Sequence, residues 1–128
     1  MVTTILAIAG GGAAGALLRH FLGGAVQRAV GPGAAAFPWG TLAVNVLGCL
    51  ALGAIAGHEA RAGALPPTLR IGLVVGFLGG FTTFSSFGIE TVRLLLGGEA
   101  VRALAYVALS NVVGIGAVVL GLKLAVRG

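Results

Sequence analysis

A set of polar side chains lies inside stretches of this sequence that are otherwise apolar enough to cross a membrane. The set comprises Thr41, Asn45, Thr82, Thr83, Ser85, Ser86, Glu90, Tyr106, Ser110 and Asn111. Most of these side chains can donate hydrogen bonds, and polar groups at membrane depth usually face a partner or water. They therefore indicate a binding site or a conduction path. For Asn45 alone, a hydrogen bond between helices is the alternative interpretation.

The densest part of the set is the segment 76–87, GFLGGFTTFSSF, in which a glycine pair precedes four hydroxyls. Irregular backbone at membrane depth is tolerated only where protein buries it or where it lines a wet cavity. Thr83, Phe87 and Glu90 fall on one stripe of a helix, with Phe84 next to Phe87 at i, i+3. The positive edge of a phenyl ring can face an anion. This face could therefore line an anion path without a fixed cation to trap the ion, whereas the alternative for aromatic residues in a membrane helix is packing or contact with lipid.

Enzymatic, metal-binding and nucleic-acid-binding functions are disfavoured. No Ser, Thr or Cys is joined by a plausible base and orienting acid. His20 and His58 are predicted at opposite membrane faces, and Cys49 is a single thiol that we expect to be buried. The eight basic residues are scattered and form no stripe.

Composition predicts the elements that position these residues. The chain is 58% hydrophobic and 9% charged, with a mean hydropathy of +1.10. We predict an all-α membrane protein with a single domain, 1–128, and four spanning helices. Their expected ranges are 4–22, 37–57, 69–96 and 101–125, with breakers in the loop 31–38 and a break in the third helix near Gly79–Thr82.

The 24 glycines predict close helix contacts, for example through Gly11 with Gly15 and Gly72 with Gly76. Four short helices make a thin bundle that scarcely encloses a path alone, so we expect a homodimer.

The basic residues predict how such a dimer is arranged. With both termini on one side, that side collects Arg61, Arg70, Lys123 and Arg127, and the other collects Arg19, Arg28, Arg93 and Arg102. Orientation normally follows an excess of Lys and Arg on the cytoplasmic side. This even distribution predicts insertion in both orientations and antiparallel pairing.

The chain resembles the Fluc/CrcB family of small fluoride channels over nearly its whole length. Three motifs carry the resemblance: Gly11, Gly12, Gly15 and Arg19; Gly40, Thr41, Val44, Asn45 and Gly48; and the segment 76–87. Two residues depart from the family pattern. His20 replaces a common aromatic residue, and Gly114 replaces a frequent hydroxyl, which would shorten one end of the polar track.

The resemblance implies a multi-pass protein of the plasma (inner) membrane, surrounded by lipid, that passes fluoride passively through two pathways per antiparallel dual-topology homodimer. It implies that Phe84 and Phe87 present ring edges to fluoride beside Asn45, and that Arg19 lies toward an aqueous vestibule. Further residues of the implied path are Thr41, Thr83, Ser86, Glu90, Tyr106 and Ser110.

The resemblance also implies a structural sodium ion on the dimer axis, held by the backbone carbonyls of Gly79 and Thr82 from both subunits. Unwound backbone and a hard cation would satisfy each other there.

Two alternatives remain from the residues alone. A proton-coupled small multidrug exporter would need an acid in the first helix, and the candidate intramembrane acid here is Glu90, which is also placed to pair with Arg93. A structural membrane subunit packed through glycines explains the glycines but not the hydroxyl cluster.

Overall fold

The computed structural model describes residues 1–31 and 37–127, and every element in this part of the chain is helical. The elements are α1 (Val2–Val30), α2 (Trp39–Ala62), α3 (67–81), α4 (Phe84–Leu96) and α5 (Ala100–Arg127). The described part contains four helical stretches long and apolar enough to cross a membrane, with α3 and α4 together forming the third. This confirms the predicted all-α class.

The helices are longer than the sequence predicted. α1 continues eight residues beyond the expected end at 22, because Gly23 and Gly24 stay helical and the helix ends only at Gly31, where φ is 81°. α2 is shifted to 39–62 and ends at Gly63, with φ of 91°. Of the predicted loop 31–38, residues 32–36 lie outside the described residues.

α3 changes character along its length. It begins as Pro67–Ile71, continues as the π-helical turns Gly72–Leu78, and closes with the short α-helical piece Gly79–Phe81. Pro67 suits a first turn, where its missing N–H has no helical partner to lose.

The break in the third span comes after the glycine pair and not at it. Gly79 has helical φ and ψ of −63° and −37°, whereas Thr82 and Thr83 are extended, with ψ of 159° and 114°. The glycines serve close packing: a Cβ on Gly80 would lie 3.0 Å from the Cα of Gly12. The break predicted near Gly79–Thr82 is therefore present, but it lies at Thr82 and Thr83, and Gly79 and Gly80 stay helical.

Two parallel helix pairs build the bundle. α1 meets α3 through Gly11 and Gly15, which lie against the backbone at Gly72 and Phe77. This confirms the close contact expected of these small residues, since a side chain would not fit.

The second pair joins α2 and α5, where Gly53 lies against the backbone of Val118 and Gly57 against that of Leu122. Contacts between the pairs are fewer and include Gly23 of α1 against Gly40 of α2. The first and third spans therefore run one way and the second and fourth the other.

The interior is small. Tyr106 and Val44 are almost completely buried, and Tyr106 forms a cluster with Leu42, Leu94 and Ala103. Most other large apolar side chains are exposed, which suits a surface that faces lipid rather than water. Tyr106 thus sets a polar hydroxyl inside the most enclosed part of the subunit.

Candidate functional site

Asn45 is bound to the interrupted backbone of the third span. Its Oδ1 accepts a 2.8 Å hydrogen bond from the amide of Thr83, and its Nδ2 donates to the Thr83 carbonyl at 3.1 Å. One side chain thus satisfies both polar groups of a residue that the helices leave out, as buried backbone requires.

Thr83 also starts α4. Its Oγ1 accepts from the Ser86 amide at 3.1 Å, which is an N-cap contact. The same hydroxyl donates to Ser86 Oγ at 3.0 Å and lies 3.3 Å from Ser85 Oγ. Three hydroxyls are consequently gathered at the first turn of α4.

The two phenylalanines of α4 follow this turn. The ring centroids of Phe84 and Phe87 are 5.5 Å apart, and the rings are tilted by 42°. Phe84 is 83% exposed, whereas Phe87 packs on Tyr106 with centroids 5.2 Å apart. In the single subunit, then, Phe84 stands on an open face and Phe87 is partly enclosed.

Glu90 is held by two hydroxyls. Thr41 Oγ1 donates to its Oε1 at 2.8 Å, and the Tyr106 hydroxyl donates to its Oε2 at 2.7 Å. The ion pairs found in the described part of the chain are Glu59–Arg70 and Glu99–Arg102. The suggested pairing of Glu90 with Arg93 is thus not observed, because α2 and α5 supply its partners.

Arg19 reaches the break from α1. Its Nη1 donates to the Thr82 carbonyl at 3.2 Å. Arg19 therefore contacts the same interrupted segment as Asn45, one residue earlier in the chain.

Ser110 is close to this group but bonded to none of it. Its Oγ is buried and has no hydrogen-bond partner among the described residues. Asn111 is exposed and donates to the carbonyl of Val107 on its own helix, at 2.7 Å. A buried hydroxyl without a protein partner is costly, so Ser110 is a candidate to bind a polar group.

Three cavities connect these residues, and we name each after one of its residues. The Asn45 cavity, about 380 Å³, is lined among others by Asn45, Thr83, Phe84, Phe87 and Ser110. The Arg19 cavity, about 430 Å³, includes Arg19, His20, Gln27, Thr41, Thr83, Ser86 and Glu90. The Arg93 cavity, about 440 Å³, includes Gln27, Glu90, Arg93 and Glu99.

The cavities share walls. Thr83 lines both the Asn45 and the Arg19 cavity, and Gln27 and Glu90 line both the Arg19 and the Arg93 cavity. The three cavities are therefore neighbouring open grooves, and Thr83 of the helix break lies between the first two.

Gln27 was not expected from the sequence. It lies on α1 beyond the point where we predicted the helix to end, so it was not counted among the intramembrane polar residues. The available signal was its spacing of four residues from Gly23, which places both on one face.

The two residues that depart from the family pattern lie in different places. His20 is exposed at the Arg19 cavity and meets Phe21 edge-on, with centroids 5.3 Å apart. Gly114 is buried, and a Cβ there would lie 3.6 Å from Cys49 Sγ.

The described residues contain no group of three or more His, Cys, Asp or Glu side chains that could hold a metal ion. Backbone carbonyl oxygens near the break can also bind a cation. The Thr83 amide, which a continuous helix would direct to the Gly79 carbonyl, goes to Asn45.

Sequence comparisons agree with the resemblance noted above. Residues 6–122 match the family described as CrcB-like protein, Camphor Resistance (CrcB). The chain is 46% identical to the fluoride-specific ion channel FluC of Rhizobium etli over 93% of both chains. It is 44% identical to the FluC of Nitrobacter winogradskyi over 95% of this chain and 94% of the relative. The FluC of Geobacter sulfurreducens is 52% identical over 77% of each.

These matches and the four apolar spans describe a multi-pass membrane protein, which in bacteria resides in the inner membrane, and they indicate an ion channel rather than an enzyme. The chain belongs to the CrcB family.

Proposed function

We propose that this protein is a fluoride-selective channel that lets the anion leave the cell passively. The observation that carries the proposal is the hydrogen-bonded cluster of Asn45, Thr83 and Ser86 at the helix break, in a chain whose relatives are named fluoride-specific ion channels. Fluoride gives up its water reluctantly, so a narrow path must replace hydration with donors.

Each residue around the helix break has a proposed task. Arg19 raises the anion concentration in its cavity, while its bond to the Thr82 carbonyl keeps the cation at the wall. The Thr83 amide and hydroxyl already donate to Asn45 and Ser86, so the Ser86 hydroxyl and the second N–H of the Asn45 amide offer the polar hydrogens at the break. The edges of Phe84 and Phe87 continue the path. Ser110, whose hydroxyl has no partner among the described residues, adds a further donor in the cavity that it shares with the two rings.

We propose that two copies pair antiparallel. Phe84, at 83% exposure, and the exposed Gly79 stand on an open groove that a second subunit would cover. A symmetric pair would give two equivalent paths. The even division of Lys and Arg between the two ends supports dual topology.

We further propose a structural sodium ion between the subunits. The Gly79 carbonyl fits this task because its helical donor is diverted to Asn45. The Thr82 carbonyl already accepts from Arg19 and keeps a second lone pair. Two subunits would supply four carbonyl oxygens to a hard cation.

The test is fluoride efflux from liposomes containing the purified protein, measured with a fluoride electrode and driven by a potassium gradient with valinomycin. We expect fast fluoride efflux that needs the valinomycin shunt, and no chloride efflux from chloride-loaded liposomes measured with a chloride electrode. Efflux that is driven by a proton gradient without the shunt would identify a coupled exporter, and no efflux would contradict the channel.

A further inference from the structure

The start of α2 has no capping side chain of its own. Its N-cap position is Pro38, whose side chain offers no acceptor. The first amides of a helix need partners from elsewhere, and most helices supply them from a Ser, Thr, Asp or Asn at this position.

Gln27 of α1 supplies the missing cap from another helix. Its Oε1 accepts from the Gly40 amide at 3.1 Å, and its Nε2 donates to the Phe37 carbonyl at 3.1 Å. The carboxamide is therefore fixed at both ends, and one N–H remains for a further acceptor.

The packing below Gln27 leaves little freedom. Gly23, one turn earlier on α1, lies so close to Gly40 that a Cβ on Gly40 would be 3.0 Å from the Gly23 carbonyl carbon. Gly40 is followed directly by Thr41, whose hydroxyl donates to Glu90. Gln27 is thus connected to Glu90 through two adjacent residues: it binds the Gly40 amide, and the next residue, Thr41, binds Glu90.

Gln27 and Glu90 also meet at one place in the path. Among the described residues, they alone line both the Arg19 cavity and the Arg93 cavity, and we call this boundary the neck. An anion moving between the two cavities passes a carboxylate and a carboxamide there.

We propose that Gln27 is the positioning residue of the neck: it fixes the start of α2, and thereby Thr41 and Glu90, and it keeps the side of the neck that it forms uncharged. This inference rests on the proposed fluoride conduction. The other charged or titratable groups around the neck are Arg19, His20 and Arg28 of α1, Arg93 of α4, Glu99 just before α5, and Tyr106 of α5.

The experiment compares three variants with the unaltered protein by fluoride efflux from liposomes at two ionic strengths. Q27M removes the hydrogen bonds to Phe37 and Gly40 without adding charge, and we expect fluoride efflux to fall several-fold at both ionic strengths. Q27E keeps an acceptor for Gly40 but adds a second carboxylate, so we expect a loss of about tenfold or more that is larger at low ionic strength. The double variant Q27E/E90Q, which restores one carboxylate and one carboxamide, should recover efflux over Q27E.

Ala29→Glu is the matched control, because Ala29 is exposed on α1 and lines none of the three cavities. It should conduct as the unaltered protein does. Hydrogen exchange at the Gly40 amide should speed up in Q27M, which tests the cap independently of conduction.

Normal efflux from Q27M and Q27E would overturn the proposal. Equal loss in both, without dependence on ionic strength or recovery in Q27E/E90Q, would reduce Gln27 to a structural cap and overturn its place in the neck. Absence of efflux from the unaltered protein would refute both the proposed channel and the role of Gln27. If the unaltered protein conducts and the Gln27 variants conduct equally well, only the role of Gln27 is refuted.

Discussion

The carboxamide of Asn45 binds both the amide and the carbonyl of Thr83, at 2.8 and 3.1 Å. A side chain on α2 therefore takes over the hydrogen bonds that the third span gives up at its break. Two functions follow from one contact: the break is stabilised, and the polar face of α4 is set next to α2.

Asn45→Asp should reduce fluoride efflux by about tenfold or more, a barrier increase of about 1.4 kcal/mol. The carboxylate cannot donate to the Thr83 carbonyl, so two oxygens would face each other, and its charge would oppose the anion. Efflux from liposomes measures the effect, and size-exclusion chromatography checks assembly. An Asn45→Asp protein that conducts normally would show that Asn45 only packs.

Phe87→Ile should lower efflux about tenfold while leaving the fold intact, because an aliphatic side chain fills the space but has no positive ring edge. Phe84→Ile should act in the same direction. Phe21→Ile is the control, since Phe21 is 65% exposed on α1 and lines none of the three cavities. Equal effects of all three substitutions would contradict the assigned path.

Tyr106→Phe should destabilise the protein by about 1–3 kcal/mol, because it removes one of the two donors to the Glu90 carboxylate. Thr41→Val removes the other. Thermal unfolding of both single variants and the double variant in detergent gives their coupling energy. Strictly additive losses would mean that the two hydroxyls do not act on a shared carboxylate.

Gly79→Ala and Gly80→Ala form a matched pair. Gly80→Ala should lower subunit stability by about 1–3 kcal/mol, because its methyl group meets the backbone of Gly12. Gly79→Ala has room within the subunit, since the nearest atom to its Cβ is the Val74 carbonyl oxygen at 3.9 Å.

We expect Gly79→Ala to unfold at the temperature of the unaltered subunit but to reduce the dimer fraction, most clearly in sodium-free buffer. Crosslinking with and without sodium measures it. If neither the Gly79→Ala substitution nor the removal of sodium changes the dimer fraction, Gly79 belongs neither to the interface nor to the ion site.

Much of the architecture could be predicted from the sequence, for reasons that the residues make plain. Four apolar stretches predict four spans, and Gly11 with Gly15 predicts a close contact that the structure shows against α3. Polar residues in apolar stretches are conspicuous, so most of the site residues were found before the fold was described.

The remainder depended on contacts between helices. The first helix was expected to end at 22 and the third to break near Gly79, yet Gly23, Gly24, Gly79 and Gly80 are all helical, because tertiary packing outweighs local propensity. The break is hydrogen-bonded by Asn45, which is distant in the sequence from Thr83. Gln27 was missed because its partners, Phe37 and Gly40, become neighbours only after α1 and α2 pack.

The π-helical turns Gly72–Leu78 have a consequence for the direction of everything after them. A π-turn holds more residues than an α-turn, so each residue in it rotates the chain by a smaller angle. This segment therefore sets the angular phase between the glycines that contact α1 and the threonine that faces Asn45. The number of residues in this segment, as much as their types, determines the direction in which Thr83 points. Inserting or deleting a residue in Gly72–Leu78 would therefore turn the hydroxyls of α4 away from the path.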